Sequence, residues 1–174
     1  MEWVECLLST HSGPTREKGH QMEIAGDVAV EAQYLLLREL IGLDNTKRAE
    51  RWADELIANS DAPGIEVIEL STISPGDKKG LIAALEALGR PVRNSRRLTD
   101  ALMVRLRDEM ASAALAPRQV AEMLYYFRGQ CLVLTPAEQA EFSIATDKLE
   151  VADRYIGNLE QATNEFSTFL ARYR

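Results

Sequence analysis

The C-terminal part of this chain carries the pattern that most restricts its fold. Apolar residues alternate three and four positions apart there for more than four heptads, interrupted only at Thr163. They are Phe142, Ala145, Leu149, Ala152, Ile156, Leu159, Phe166, Leu170 and Tyr173. Because an α-helix turns about once in 3.6 residues, this spacing gathers the side chains into one stripe. We therefore predict one long C-terminal helix over residues 136–173, whose stripe must pack against its own chain or another.

A straight helix of that length is longer than the domain to which it belongs. It would run about 57 Å, whereas a compact domain of 174 residues measures about 40 Å across. The helix must therefore project or break. Its weak points are Gly157 and the segment 143–146, because glycine and β-branched residues lower helix stability.

The positions beside the stripe indicate what covers it. In a two-stranded coiled coil these positions are usually charged, but here three of them are Tyr155, Ala162 and Phe169. The wider apolar face favours packing inside the chain's own bundle, with a homodimer through the C-terminal helix as the alternative. If a second copy covers the helix, the candidate interface consists of Phe166, Phe169, Leu170 and Tyr173.

Helix starts are marked along the rest of the chain. Proline stands at a predicted first helical position at Pro75, Pro117 and Pro136. Thr135 and Glu138 form a capping box, in which each side chain binds a backbone N–H group of the other residue. These signals predict short loops between successive helices.

The remaining segments complete an all-α prediction. Residues 65–70 have no second strand candidate with which to pair, so we predict a loop or a single helical turn there. Residues 1–20 are weakly patterned. The apolar helix faces place five large residues in the core: Trp52, Leu85, Leu102, Leu124 and Leu149. We predict a single-domain helical bundle of six or seven helices over residues 1–174.

The charge of the chain is negative overall but unevenly distributed. The formal net charge is −7, yet residues 90–107 hold six arginines against one acid, a local charge of +5. We call the segment Arg90–Arg107 the basic island. Arg93, Arg96 and Arg97 lie before or within the first turn of a predicted helix, where they can hold a phosphate or an acidic side chain. The alternative is that these arginines neutralise acidic side chains of the same chain.

A second group of candidate binding residues ends the helix that Pro117 begins. Tyr125, Tyr126 and Arg128 are of the residue types enriched at the energetic centres of protein interfaces. We expect one of the two tyrosines to face the core beside Phe127.

Several classes of function lack their sequence signatures. The chain has no glycine-rich phosphate loop, HExxH, GxSxG, zinc-spaced Cys/His set or kinase motif. His20, Glu23 and Asp27 share one side of a predicted helix, but their order reverses the metal-binding Glu-x-x-His motif and no second motif accompanies them. We expect no metal and no cofactor, and the balance is against an enzyme.

The sequence also predicts a cytoplasmic setting. No apolar run is long enough to cross a bilayer, and Glu2 and Glu5 stand where a signal peptide carries basic residues. Cys6 and Cys131 lie far apart and form no CxxC pair, and Cys131 is expected to be a buried small hydrophobe. We expect no membrane partner.

These observations favour a small acidic protein that acts by binding another protein, as an adaptor, an inhibitor or an immunity-type protein does. The acidic balance suits a basic partner. The first alternative is a small helical enzyme or ligand-binding domain with a pocket between helices. The second is a helical regulator that contacts nucleic acid through the basic island, although the acidic remainder of the chain argues against this partner.

The charge distribution predicts that the protein does not bind duplex DNA or RNA with sub-micromolar affinity at physiological salt, because a net charge of about −12 surrounds the island. Fluorescence anisotropy with a labelled duplex measures this. Tight binding with a steep salt dependence, lost in the Arg93→Ala/Arg97→Ala double variant, would contradict it.

Overall fold

The chain folds into helices throughout the part that the computed structural model describes. This part is residues 15–43, 45–128, 132–154 and 158–173, without the side chains of residues 15–25, 153 and 154. The helices are α1 (Thr15–Leu40), α2 (Thr46–Ala58), α3 (Ile65–Ser71), α4 (Lys78–Gly89), α5 (Arg96–Ala111), α6 (Pro117–Arg128), α7 (Pro136–Arg154) and α8 (Leu159–Leu170), with a 3₁₀ turn at Arg90–Val92. The all-α prediction is confirmed. These ranges contain eight α-helices, where six or seven were expected, and no strand.

One extra helix is α3, where we predicted a loop or a single turn. Its backbone hydrogen bonds begin at Gly64, whose carbonyl accepts from Val67 and Ile68. Val67 and Leu70 are buried, and α3 lies between α2 and α4. Packing on two neighbours therefore stabilises a helix too short to persist alone.

The other extra helix arises because the prediction of one helix over residues 136–173 is wrong. Asn158 caps the N-terminus of α8. Its side-chain oxygen accepts a hydrogen bond from the backbone N–H of Gln161 at 3.0 Å. The ring centroids of Phe142 in α7 and Phe169 in α8 lie 6.0 Å apart. Ion pairs cross the same contact, from Lys148 to Glu165 and from Arg172 to Glu141. The two helices are thus antiparallel and bury their apolar faces together. Gly157, the expected weak point, lies outside the described residues.

The central element of the fold is α1. It packs against α4, α5, α6 and the 3₁₀ turn, and Tyr34, Leu35 and Leu37 on it are fully buried. At Gly89 in α4, an added Cβ would collide with the side chain of Gln33 on α1. The absence of a side chain at Gly89 therefore leaves room for that of Gln33.

The N-terminal prediction is corrected in part. α1 begins at Thr15, so residues 15–20 are helical and not weakly structured as expected for residues 1–20. Residues 1–14, with Cys6 and His11, lie outside the described residues, as does Cys131.

Two of the three proline-marked helix starts are confirmed, at Pro117 and Pro136. The capping box also forms. The Thr135 N–H donates to Glu138 Oε2 at 2.7 Å, and the Glu138 N–H donates to Thr135 Oγ1 at 3.2 Å. Burial opposes the charge of Glu138, but the hydrogen bonds from Thr135 and the neighbouring Arg96 outweigh it and lower the pKa of this carboxyl.

The predicted helix start at Pro75 is wrong by three residues, because α4 begins at Lys78. Asp77 is the capping residue, accepting a hydrogen bond from the Gly80 N–H at 2.9 Å. Gly76 has φ +95°, a conformation that other residues rarely adopt, and it closes a turn ahead of the helix. The turn that contains Gly76 therefore moves the start of α4 toward the C-terminus.

Apolar side chains from every helix form one buried cluster, which contains four of the five predicted core residues. Leu85, Leu102, Leu124 and Leu149 are buried, whereas Trp52 is only partly buried against the edge of the cluster. On α2 the small residues Ala49 and Ala53 occupy the buried positions instead.

The antiparallel pair of α7 and α8, which we call the C-terminal hairpin, should contribute strongly to stability, because Phe166 is fully buried. Phe166→Ala is expected to lower the free energy of unfolding by about 3–5 kcal/mol. Leu159→Ala, on the same helix but 45% exposed, is the matched control, with an expected loss of about 0.5 kcal/mol or less. Urea melts followed by circular dichroism measure both. Equal losses would show that α8 is not packed as described.

Candidate functional site

Most of the basic island is paired with acids of the same chain. Arg96 donates to Asp100 at 2.8 Å and to Glu138 of α7 at 2.9 Å, and its guanidinium lies 5.6 Å from the ring centroid of Tyr173. Burial and the nearby Glu138 raise the pKa of Tyr173 to about 12. Arg96 therefore ties α5 to the C-terminal hairpin.

Two further arginines of the island have internal partners. Arg97 donates to Asp27 of α1 at 2.8 Å, and its guanidinium covers Gly26, where a Cβ would lie 2.5 Å from it. Arg107 donates to the backbone carbonyl of Tyr173 at 2.9 Å and pairs with Asp108. These contacts fit the interpretation that the island neutralises its own chain.

The remaining paired arginine, Arg105, belongs to a polar cluster that the sequence analysis missed. Its guanidinium lies 3.6 Å from the ring centroid of Tyr34 and binds Glu31, both on α1. Burial opposes its charge, but the hydrogen bond and charge of Glu31, with contributions from Tyr34 and Glu109, raise the pKa of Arg105. We call Glu31, Tyr34, Arg38, Arg48, Arg105 and Glu109 the Tyr34 cluster.

Glu109 of α5 is the common acceptor of this cluster. It accepts the hydroxyl of Tyr34 and lies 3.3 Å from Arg38 and 3.6 Å from both Arg48 and Arg105. Burial and the Glu109 hydrogen bond raise the pKa of the Tyr34 hydroxyl, so that it remains a donor. The cluster joins α1, α2 and α5 and satisfies its own polar groups. The cluster therefore has a structural role. The sequence feature that could have revealed it is the presence of charged residues within the apolar run of α1.

Arg90 and Arg93 are the exceptions in the basic island. Both are exposed, and neither guanidinium binds another side chain within the described part of the chain. They stand at the mouth of a groove between α1, α4 and α6, which we call the basic groove. Its other lining residues are Gln33, Leu36, Leu37, Leu40, Glu86, Tyr126 and Phe127, and it encloses about 90 Å³.

The expectation that one tyrosine of α6 faces the core is wrong. Tyr125 and Tyr126 are 70% and 45% exposed, because the buried positions of α6 belong to Val120, Met123, Leu124 and Phe127. Tyr126 lines the basic groove, whereas Tyr125 lines an open trough between α6 and α7. Arg128 is exposed and donates to Ser143 of α7 at 2.9 Å.

The structure thus brings together only some of the predicted site residues. Arg93 and Tyr126 share the basic groove, with Tyr125 and Arg128 on the same helix as Tyr126. Arg96 and Arg97 are held by ion pairs elsewhere. The candidate interface residues of the C-terminus are buried inside the chain and are not exposed in this fold: Phe166, Phe169, Leu170 and Tyr173.

The described residues hold no group of three His, Cys, Asp or Glu side chains placed to bind a metal. No helix among them combines the length and apolarity needed to cross a bilayer. Comparisons with protein-family models, curated proteins and solved structures find no significant match to this chain.

The Tyr34 cluster predicts a graded loss of stability. Glu109→Ala leaves three arginines without their shared acceptor and should lower the free energy of unfolding by about 3 kcal/mol or more. Tyr34→Phe removes one hydroxyl and should cost about 1–3 kcal/mol. Glu86→Ala, an exposed glutamate of α4, is the control, with a change within about 0.5 kcal/mol. Chemical denaturation measures all three, and a Glu109 variant as stable as the control would refute the role of the cluster.

Proposed function

We propose that this chain acts by binding another protein through the exposed face of α6 and the adjoining basic groove. The observation that carries the proposal is the exposure of Tyr125 and Tyr126 on α6, where Tyr126 lines the same groove as Arg93, whose guanidinium has no partner among the described residues. Tyrosine and arginine contribute most to binding energy at protein interfaces.

The small volume of the basic groove and the open shape of the trough beside it support binding over catalysis. Pockets for substrates or drug-sized ligands usually measure about 300–1,000 Å³ and enclose most of the ligand. The basic groove, at about 90 Å³, is far smaller. The trough beside Tyr125 is larger, about 420 Å³, but exposed residues such as Glu122 and Asp147 line it. An open trough suits a protein surface better than an enclosed reaction site.

The pairing within the basic island argues against nucleic acid as the partner. Four of its six arginines lie in ion pairs with the chain's own carboxylates, which leaves little free positive charge for a phosphate backbone. The cytoplasm, as the sequence predicts, is the compartment we propose. A homodimer through the C-terminal hairpin forms no part of the proposal, because the four residues predicted for that interface are already buried.

Site-specific photocrosslinking in cells that express the protein naturally tests the proposal. A photoreactive residue at position 125 or 126 should capture one and the same protein. The same residue at position 65 should not, although Ile65 of α3 is 62% exposed. The Tyr125→Ala/Tyr126→Ala double variant should bind the captured protein at least about 30-fold more weakly. Ile65→Ala/Ile68→Ala is the matched double control, with unchanged affinity.

Capture from position 65 alone would overturn the proposal. It would place the contact on the face of α2 and α3, where exposed acids such as Glu66 and Glu69 suit the basic partner expected from the overall charge. Capture from neither position, with the protein folded, would also count against binding through α6.

A further inference from the structure

We propose that the basic groove binds a single carboxylate side chain of the partner, flanked by an apolar residue. The inference rests on the proposed function and names the chemistry of one contact within it. The carboxylate lies between Arg90 and Arg93, and the apolar neighbour packs on Leu40 and Tyr126.

The chemistry of the groove suits a carboxylate beside an apolar side chain. Its floor is apolar, with Leu36, Leu37 and Phe127 buried, and its wall is the half-exposed Leu40. The two arginines follow the end of α4 three residues apart, Arg90 beginning the 3₁₀ turn and Arg93 following it. A guanidinium offers paired N–H donors that match the two oxygens of a carboxylate. An apolar floor beside these donors suits an amphipathic segment of a protein.

The net charge of the basic groove favours a carboxylate over a phosphate. Glu86 lines the same groove, so its three charged residues carry a net charge of +1. This charge complements one carboxylate, whereas a phosphate group carries close to two negative charges at neutral pH and would also meet Glu86. Like charges placed together at an interface are unfavourable.

The groove is also small. Its volume of about 90 Å³ is well below the roughly 300–1,000 Å³ of sites that enclose a small-molecule ligand. One side-chain terminus fits this space, and a nucleotide or cofactor does not. The two guanidinium groups at the mouth remain exposed, so that a segment lying across α6 can reach them.

The test uses three synthetic peptides and NMR of the full chain. The peptides are acetyl-Ala-Leu-Glu-Leu-Ala-amide and the same sequence with glutamine or phosphoserine in place of glutamate. The reporters are the Nε–Hε signals of Arg90 and Arg93. The glutamate peptide should shift both signals saturably, with a dissociation constant on the order of 1 mM. The glutamine peptide should bind at least about tenfold more weakly.

Variants assign the effect to the groove. With the backbone amide signals of Leu40 and Tyr126 as reporters, Arg90→Gln/Arg93→Gln should lower the affinity for the glutamate peptide about tenfold or more, since both guanidinium groups are lost. Arg51→Gln, an exposed arginine of α2, should leave it unchanged. Added salt should weaken the glutamate peptide more than the glutamine peptide.

Each contrary result overturns the inference. Equal binding of the glutamate and glutamine peptides would make the groove a purely apolar contact, and tenfold tighter binding of the phosphoserine peptide would make it a phosphate site. No saturable shift up to about 10 mM would mean that the groove holds no carboxylate. If crosslinking at position 125 or 126 succeeds while the peptides fail, the binding surface stands and only the carboxylate contact falls.

Discussion

Pairing of arginine with carboxylates across helices is the interaction on which both the fold and its surface depend. The α5 arginines reach three other parts of the chain, with Arg105 bound to α1, Arg96 to α7 and Arg107 to the C-terminal end. The ion pairs of Arg105 and Arg96 join helices distant in sequence and neutralise a positive charge, whereas Arg107 binds a backbone carbonyl and pairs with the adjacent Asp108. The same contacts that position the helices therefore decide which arginines remain for a partner.

The contrast between arginines held inside the fold and those left at the surface explains why an acidic protein presents a small basic groove. Arg90 and Arg93 belong to the turn between α4 and α5, beyond the reach of the acids that face α5. They flank the apolar gap where α6 meets α1 and α4, next to the exposed ring of Tyr126. A short, weakly charged groove beside aromatic residues favours recognition of a few side chains over attraction of a long polyanion.

The sequence predicted local features better than contacts between distant residues. Helix periodicity and the capping box at Thr135 were read correctly, because both depend on neighbours within a turn. The sequence did not predict that residues 136–173 form two helices. The apolar spacing continues in register from α7 to α8, so that it matches the pattern of a single helix. Of the candidate site residues, Arg93 and Tyr126 meet in the groove. The contact of Arg96 with Glu138, 42 positions away, was not predicted, because it depends on how α5 and α7 pack. The Tyr34 cluster depends on Glu109, 75 positions from Tyr34.

Urea unfolding of the six single Arg→Gln variants of the basic island tests the central claim most directly, since urea does not screen ion pairs. Arg105→Gln should lower the free energy of unfolding by at least about 2 kcal/mol, because Glu31 loses its partner inside the Tyr34 cluster. Arg90→Gln and Arg93→Gln should change it by about 0.5 kcal/mol or less. If either of these two variants lost as much stability as Arg105→Gln, the division between structural and partner-binding arginines would be contradicted.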